Sequence, residues 1–211
     1  MVDGQHRFAA ACRRGDIQVL PCVILEGTDL ELEAQTFVRL NKQRRPISKL
    51  DEFRASVAAG DERANEIEES LQRAGLKLAA TTNPDSWKPG ELANVAGLQA
   101  AWKQHGGATS ALALEVLARA YPGEILRFGG TIFPAIAAVI AEDGAEIFAF
   151  FDQLVTLVAS RPQADWRRAA LLHQAENPGT SPKACAEEVL SDAFDEHLGE
   201  QLGEDEFEEA A

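Results

Sequence analysis

Apolar residues recur at the spacing of an α-helix through most of residues 92–198. Side chains three and four positions apart lie on one face of a helix, so each such run predicts one amphipathic helix. The six successive runs are Leu92–Trp102, Ala113–Ala120, Phe133–Ile140, Ile147–Val158, Trp166–His173 and Val189–Phe194. In the fourth run, Phe148, Phe151 and Leu154 share one face, which we expect to be buried. This part of the chain therefore predicts a helical domain.

Local start and stop signals extend the helical pattern. Ser48 predicts the N-cap of a helix that ends at Gly60, and a second helix is expected over residues 62–74. Ser110 and Ser181 are predicted to be N-caps of later helices rather than nucleophiles, because no nucleophile motif surrounds either residue.

The beginning of the sequence has a different pattern. Residues 3–7 (DGQHR) form a glycine turn that opens a short helix, residues 6–14, which Gly15 ends. Ile17–Leu25 is rich in β-branched and apolar residues over the length of a strand, and the proline inside it predicts an edge strand or a local break. We expect a small α/β portion over about residues 1–60.

The DGQHR segment has the chemistry of a phosphate-binding loop. Backbone N–H groups at the start of a helix face the positive end of its dipole. Arg7 adds a planar, permanent cation, and His6 can donate to a phosphate oxygen or transfer a proton near neutral pH. Gly4 lets the backbone come close, and Asp3 can cap the turn or hold a ribose hydroxyl or a metal ion. The alternative is an ordinary capped helix with a surface His-Arg pair, and so short a motif does not decide between the two.

A basic cluster follows, in a segment without any acidic residue from position 34 to position 50. It consists of Arg39, Lys42, Arg44, Arg45 and Lys49. These cations could meet the phosphates of a nucleotide or of DNA, and the alternative is a solvated helix face. Asn41 shares a helical stripe with Phe37, so its amide is expected to point inward, toward the DGQHR loop or a ligand.

Together these segments resemble the ParB/sulfiredoxin-like superfamily, and more narrowly the DGQHR-domain proteins of bacteria and phages. The similarity lies in DGQHR, in the short helix and glycine after it, and in the pattern that ends VLPCVIL. Residues 37–55, FVRLNKQRRPISKLDEFRA, are similar to the F-x-x-x-N … R-x-P-L-S-x-L-D-x-F stretch of those proteins. The resemblance covers about the first 60 residues, and the helical remainder agrees with it in character only.

The resemblance implies a bound nucleoside triphosphate, CTP or ATP, with Mg²⁺. The residues expected to bind its phosphates or the nucleotide are Asp3, Gly4, Gln5, His6, Arg7, Asn41, Arg44 and Arg45, with His6 as the candidate catalytic residue. Gln5 stands in the region where sulfiredoxins have their catalytic cysteine, which disfavours sulfinic-acid repair. In the superfamily several strands precede the loop, whereas Met1-Val2 precede it here. We therefore expect the strands that complete the sheet and the base-binding wall to be missing from residues 1–211.

Charge and cysteine content restrict the possible binding partners and the cellular compartment of the protein. A formal net charge of −14 argues against nonspecific binding of the whole chain to DNA. Residues 187–211 hold eleven acidic residues and no lysine or arginine, and residues 199–211 are predicted to be a disordered acidic tail. The three widely spaced cysteines suit a reducing cytoplasm, and no apolar run reaches 18 residues, so a membrane span is not expected. No two-histidine metal spacing occurs, so the protein is not expected to supply a metal site.

The sequence thus predicts an α+β, predominantly α-helical chain. Its expected parts are a partial ParB/sulfiredoxin-like α/β portion at 1–60, a helical domain at 61–198 and the tail. The favoured function is a ParB-like nucleotide-phosphate-binding protein of a phage, plasmid or DNA-maintenance system, with DNA, a protein or a second copy as partner. Nucleotide hydrolysis or phosphotransfer is left open. The alternative is a noncatalytic interaction or regulatory module in which the loop is structural. A ParB-like nuclease ranks last, because no cluster of acidic metal ligands lies near the loop.

Overall fold

The computed structural model describes residues 5–22, 29, 32, 35, 47–144 and 146–209. The chain divides into two compact units, Met1–Ile47 and Ser48–Ala211. Helix is the predominant structure throughout the described residues, as the sequence predicts. None of the helices in this described part is long and apolar enough to cross a membrane.

The first unit contains helix α1, Gln5–Arg14, which confirms the predicted helix at this place. Gly15 ends it with a φ of 72°, a backbone conformation that favours glycine. The strand predicted over Ile17–Leu25 does not form in its described part, since residues 17–22 have no strand pairing and are exposed. A strand needs a hydrogen-bonded neighbour, and local β propensity does not provide one.

The second unit is a bundle of seven described helices. They are α2 Lys49–Ala58, α3 Glu62–Arg73, α4 Val95–Ala120, α5 Gly129–Asp143, α6 Ile147–Ala159, α7 Gln163–Glu176 and α8 Pro182–Glu209. Between α3 and α4, the two short strands β1, Lys77–Leu78, and β2, Glu91–Leu92, pair in parallel, with Lys77 opposite Glu91. A single 3-10 turn, Pro84–Ser86, lies in the connection between these strands.

Side-chain caps fix the start of several helices. The Ser48 hydroxyl accepts a hydrogen bond from the Asp51 amide at 3.1 Å, which confirms the predicted cap of α2. Ser181 accepts from the Ala184 amide at the start of α8, also as predicted. Ser110 is not a cap: it lies inside α4, fully buried, and its hydroxyl has no hydrogen-bond partner among the described residues.

The two helices predicted around residues 92–120 are both present, as two segments of α4 separated by a kink at Gly106, and the second segment already begins before Ser110. Gly106 has φ 82° and ψ 170°, far from helical values, and only glycine adopts this conformation readily. The kink therefore separates two helical segments, and His105 lies at the end of the first.

Helix α5 forms the centre of the bundle, packed against both α4 and α8. Its side chains Phe133, Ile136 and Ala137 have no exposed surface. The apolar stripe predicted on α6 is only partly correct: Leu154 is fully buried and Phe151 half-buried, but Phe148 is 69% exposed. Helical spacing places side chains on one face, and whether a neighbour covers that face along its whole length depends on the tertiary packing.

Helix α8 continues to Glu209, so residues 199–209 are helical, in contrast to the disordered tail that the acidic composition predicts. Glutamate and glutamine have high helix propensity, which favours a helix in this acidic segment.

A cluster of like charges surrounds the end of α5. Burial raises the pKa of Asp143, and the neighbouring carboxylates Asp195, Glu142 and Glu146 raise it further. One carboxylate oxygen of Asp143 is buried without a hydrogen-bond partner among the described residues. A negative charge here also opposes the helix dipole, because α5 ends at Asp143.

We therefore expect Asp143→Asn to stabilise the protein at pH 7, by about 0.5–1 kcal/mol. A carboxyl whose pKa is raised by folding destabilises the folded state above that pKa and has no effect below its unfolded value, about 3.9. The gain measured by urea unfolding should therefore shrink as the pH falls from 7 toward 4. Asp192→Asn, on an exposed face of α8, is the control for the change in net charge. An equal gain in both variants would contradict the assignment.

Candidate functional site

Three of the predicted site residues lie together in the first turn of α1. Gln5, His6 and Arg7 are all exposed, and this turn has no acidic side chain. The remaining five residues of the predicted set lie outside the described residues: Asp3, Gly4, Asn41, Arg44 and Arg45.

The first turn of α1 can attract anions. A helix leaves its first N–H groups without intrahelical acceptors, and the helix dipole adds partial positive charge at this end. His6 and Arg7 extend hydrogen-bond donors and a permanent positive charge into solvent next to these groups. Together these features suit the oxygens of a phosphate group.

An exposed ion pair lies at the other end of α1. Arg14 donates two hydrogen bonds to Asp16, at 3.0 and 2.7 Å. This interaction lowers the pKa of the Asp16 carboxyl and raises that of the Arg14 guanidinium, although both groups are fully exposed. Arg14 is therefore already paired with a carboxylate and is not included in the candidate site.

No group of three or more His, Cys, Asp or Glu side chains that could hold a metal occurs among the described residues. A Mg²⁺ ion carried by a nucleotide keeps most of its ligands from phosphate oxygens and water, and so does not require such a group. The donors in the first turn of α1 are therefore suited to an anion alone.

A buried hydrogen-bond network in the second unit is structural. The Gln163 side chain accepts from the Phe128 amide at 3.2 Å and donates to Glu124 Oε2 at 2.9 Å and to the Ile125 carbonyl at 3.0 Å. It ties the start of α7 to the loop before α5. A glutamine in a polar stretch looks like a surface residue in the sequence, so no sequence signal could have identified it.

Tyr121 and Trp166 form a second buried connection. The Tyr121 hydroxyl donates to the Val158 carbonyl at 2.8 Å and to the Arg161 carbonyl at 3.0 Å, and Trp166 Nε1 donates to the same Val158 carbonyl at 3.1 Å. Burial raises the pKa of Tyr121 well above its ordinary value, so the hydroxyl remains a donor. Trp166 is core, as the sequence predicts, rather than a platform for a nucleotide base.

His105 lies directly before the break in α4. Partial burial lowers its pKa, and the nearby charge of Lys183 lowers it further, while Glu187 acts in the opposite direction. Its Nε2 atom is buried and has no hydrogen-bond partner among the described residues. The imidazole is therefore held in its neutral form at neutral pH, which suits a packed residue at a helix break.

A groove of about 480 Å³ in the second unit was not predicted. Its walls come from the starts of α4, α5 and α8 and from one face of α7. Among the described residues that line it, Arg167 and Lys183 are cationic and none is a carboxylate. The sequence contains one signal for it. The i, i+3, i+4, i+7 spacing of Arg167, Ala170, Leu171 and Gln174 places these four residues on a single face of α7.

Comparison with known proteins gives one match. The model of a family of unknown function, DUF6551, matches residues 1–149, which include α1 and the second unit as far as α6. No curated protein and no solved structure matches the chain significantly.

Proposed function

We propose that this chain, which belongs to the DUF6551 family of unknown function, binds the phosphate groups of a nucleoside triphosphate at the start of α1. The observation that supports the proposal is the joint position of Gln5, His6 and Arg7 in the first, acid-free turn of an exposed helix. In this proposal the chain is a ParB-like protein of a phage, plasmid or DNA-maintenance system, with CTP or ATP and Mg²⁺ as its ligand.

Each of the three residues has a distinct proposed task. The Gln5 amide and side chain donate to phosphate oxygens, and the Arg7 guanidinium provides a paired contact that an ammonium group cannot reproduce. His6 is the residue placed to move a proton in hydrolysis or phosphotransfer. The resemblance to DGQHR-domain proteins adds Asp3, Gly4, Asn41, Arg44 and Arg45 to the binding set, and with them the partial α/β portion.

Isothermal titration calorimetry of the 211-residue chain with CTP, ATP and GTP, each with Mg²⁺, tests the proposal. Arg7→Gln should weaken binding about 10- to 100-fold, because a hydrogen bond to a charged group contributes about 1.5–3 kcal/mol. Arg13→Gln, in the last turn of the same exposed helix, is the matched control and should change binding by less than about twofold.

Two results would contradict the proposal: no heat of binding for any nucleotide, or equal weakening by the two arginine substitutions. Release of inorganic phosphate from the bound nucleotide then separates an enzyme from a binding protein. If the His6→Gln variant binds the nucleotide as tightly as wild type and releases phosphate at the wild-type rate, His6 has no catalytic role.

The second candidate is a noncatalytic interaction module in which residues 3–7 only open α1. The observation that favours it is the exposed apolar surface of α6, where Phe148 is 69% exposed. A large aromatic side chain in water is a common feature of protein-binding surfaces. This candidate is supported if nucleotides do not raise the melting temperature while Phe148→Ser abolishes a measured self-association.

A further inference from the structure

The groove in the second unit has a polar end and an apolar middle. At the polar end, the Arg167 guanidinium lies over the Phe128 ring, 5.2 Å from its centroid, and Phe128 directly precedes α5. Arg167 is exposed and has no carboxylate partner among the described residues. The chain as a whole is acidic, with a net charge of −14, but no carboxylate is among the described residues that line the groove, so Arg167 makes this end locally attractive to an anion.

The start of α5 adds further positive character at the same end. No side chain caps this helix, and the Gly130 N–H has no acceptor among the described residues. A Cβ at Gly130 would lie 3.2 Å from Asn94 Cγ, so a larger residue here would require the Asn94 side chain to shift slightly. The groove therefore combines a guanidinium, an available backbone N–H and the positive end of a 15-residue helix.

The middle of the groove is apolar. Pro134, Ala170, Leu171 and Ala186 line it, and Leu171 remains 51% exposed. At the far end, Lys183 donates to Gln104 at 2.6 Å and pairs with Glu187 at 3.2 Å, so its charge is already compensated. From Arg167 to Gln174 the lined face of α7 extends about 10 Å.

We propose that this groove binds a small amphiphilic anion, with a single carboxylate or phosphate head at Arg167 and the start of α5 and an apolar chain along Ala170 and Leu171. The head receives a charged, two-donor contact from Arg167 and a hydrogen bond from the Gly130 amide. The apolar chain of the ligand covers Leu171 and the apolar surface beside it. Removing this surface from water is favourable. This site is independent of the nucleotide site proposed on α1.

The test is calorimetry of the full chain with four probes: octanoate, octyl phosphate, inorganic phosphate and octanol. We expect at least one of the two amphiphilic anions to bind, and to bind at least tenfold more tightly than octanol or phosphate alone. The dissociation constants of octanoate and octyl phosphate show whether the site prefers a carboxylate or a phosphate head group. In ¹H–¹⁵N spectra the Gly130 and Thr131 amides should shift on binding.

The matched variants are Arg167→Gln and Arg168→Gln. Arg168 is adjacent, is also exposed and pairs with Asp165, and it is not among the residues that line the groove. Arg167→Gln should weaken the anion about 10- to 100-fold and Arg168→Gln less than about twofold. Leu171→Glu, at a half-exposed position that does not threaten folding, should also abolish binding by placing a like charge beside the chain.

Three outcomes overturn the proposal. They are the absence of binding by both amphiphilic anions, octanol binding as tightly as the anions, and equal weakening by the two arginine substitutions. The nucleotide titrations with Arg7→Gln are unaffected by any of these results, so the two proposals fail separately.

Discussion

Phe133→Ala is expected to lower the free energy of unfolding by about 3–5 kcal/mol, since it empties the centre of the bundle. Phe133 has no exposed surface and lies on α5, which packs against both α4 and α8. The loss combines the transfer of a large aromatic side chain with the cavity that the surrounding helices cannot close. Urea unfolding measured by far-UV circular dichroism gives the value directly.

Phe148→Ala is the matched control for this substitution. The same side chain is removed from a helix of the same bundle, but Phe148 is 69% exposed, so the expected cost is below about 1 kcal/mol. If both substitutions cost about the same, either the face of α6 that carries Phe148 is covered in solution or the core around Phe133 is loosely packed.

The second large effect is expected for Gln163→Glu, which keeps the shape of the side chain and changes only its charge and donors. Gln163 is 6% exposed and donates to both Glu124 Oε2 and the Ile125 carbonyl. The carboxylate cannot donate, and it meets a like charge at hydrogen-bond distance. We expect a loss of about 2–4 kcal/mol at pH 7, from an uncompensated buried charge and two unsatisfied acceptors.

The pH dependence of this loss identifies its origin. Burial and the like charge of Glu124 must raise the pKa of the new carboxyl in the folded state above its unfolded value of about 4.3. The penalty is then complete above the folded pKa and disappears below the unfolded one, so the variant should recover stability relative to wild type between pH 7 and pH 5. Gln72→Glu, on the exposed face of α3, is the control. A loss independent of pH would mean that shape rather than charge is responsible.

Elements determined by a few neighbouring residues could be predicted from the sequence. The caps at Ser48 and Ser181 are local hydrogen bonds within four residues, so they appear where the sequence places them. The helical period likewise identified the buried faces of α3 and α5, with Ile67 and Phe133 fully buried. The wrong predictions depend on distant partners: among the described residues, no strand pairs with residues 17–22 and no helix covers Phe148, which is 69% exposed.

The two candidate sites also differ in whether neighbouring residues or distant ones form them. Gln5, His6 and Arg7 are consecutive residues at a helix start, and the structure has them in that first turn. The predicted involvement of Asp3, Gly4, Asn41, Arg44 and Arg45 lies outside the described residues and stays a prediction. The groove at Arg167 could not be predicted, because its wall joins Asn94, Gly130 and Lys183 from separate helices. Only tertiary packing brings such residues together.

The break at Gly106 has a consequence for how the bundle opens. A residue with φ 82° and ψ 170° cannot carry the helical hydrogen-bond ladder across it, so α4 consists of two separate ladders. Both sides have fully buried side chains of their own, Leu98 before the kink and Leu114 and Leu117 after it. The two ladders can therefore open separately, so the amide hydrogens before and after residue 106 are expected to exchange as two groups.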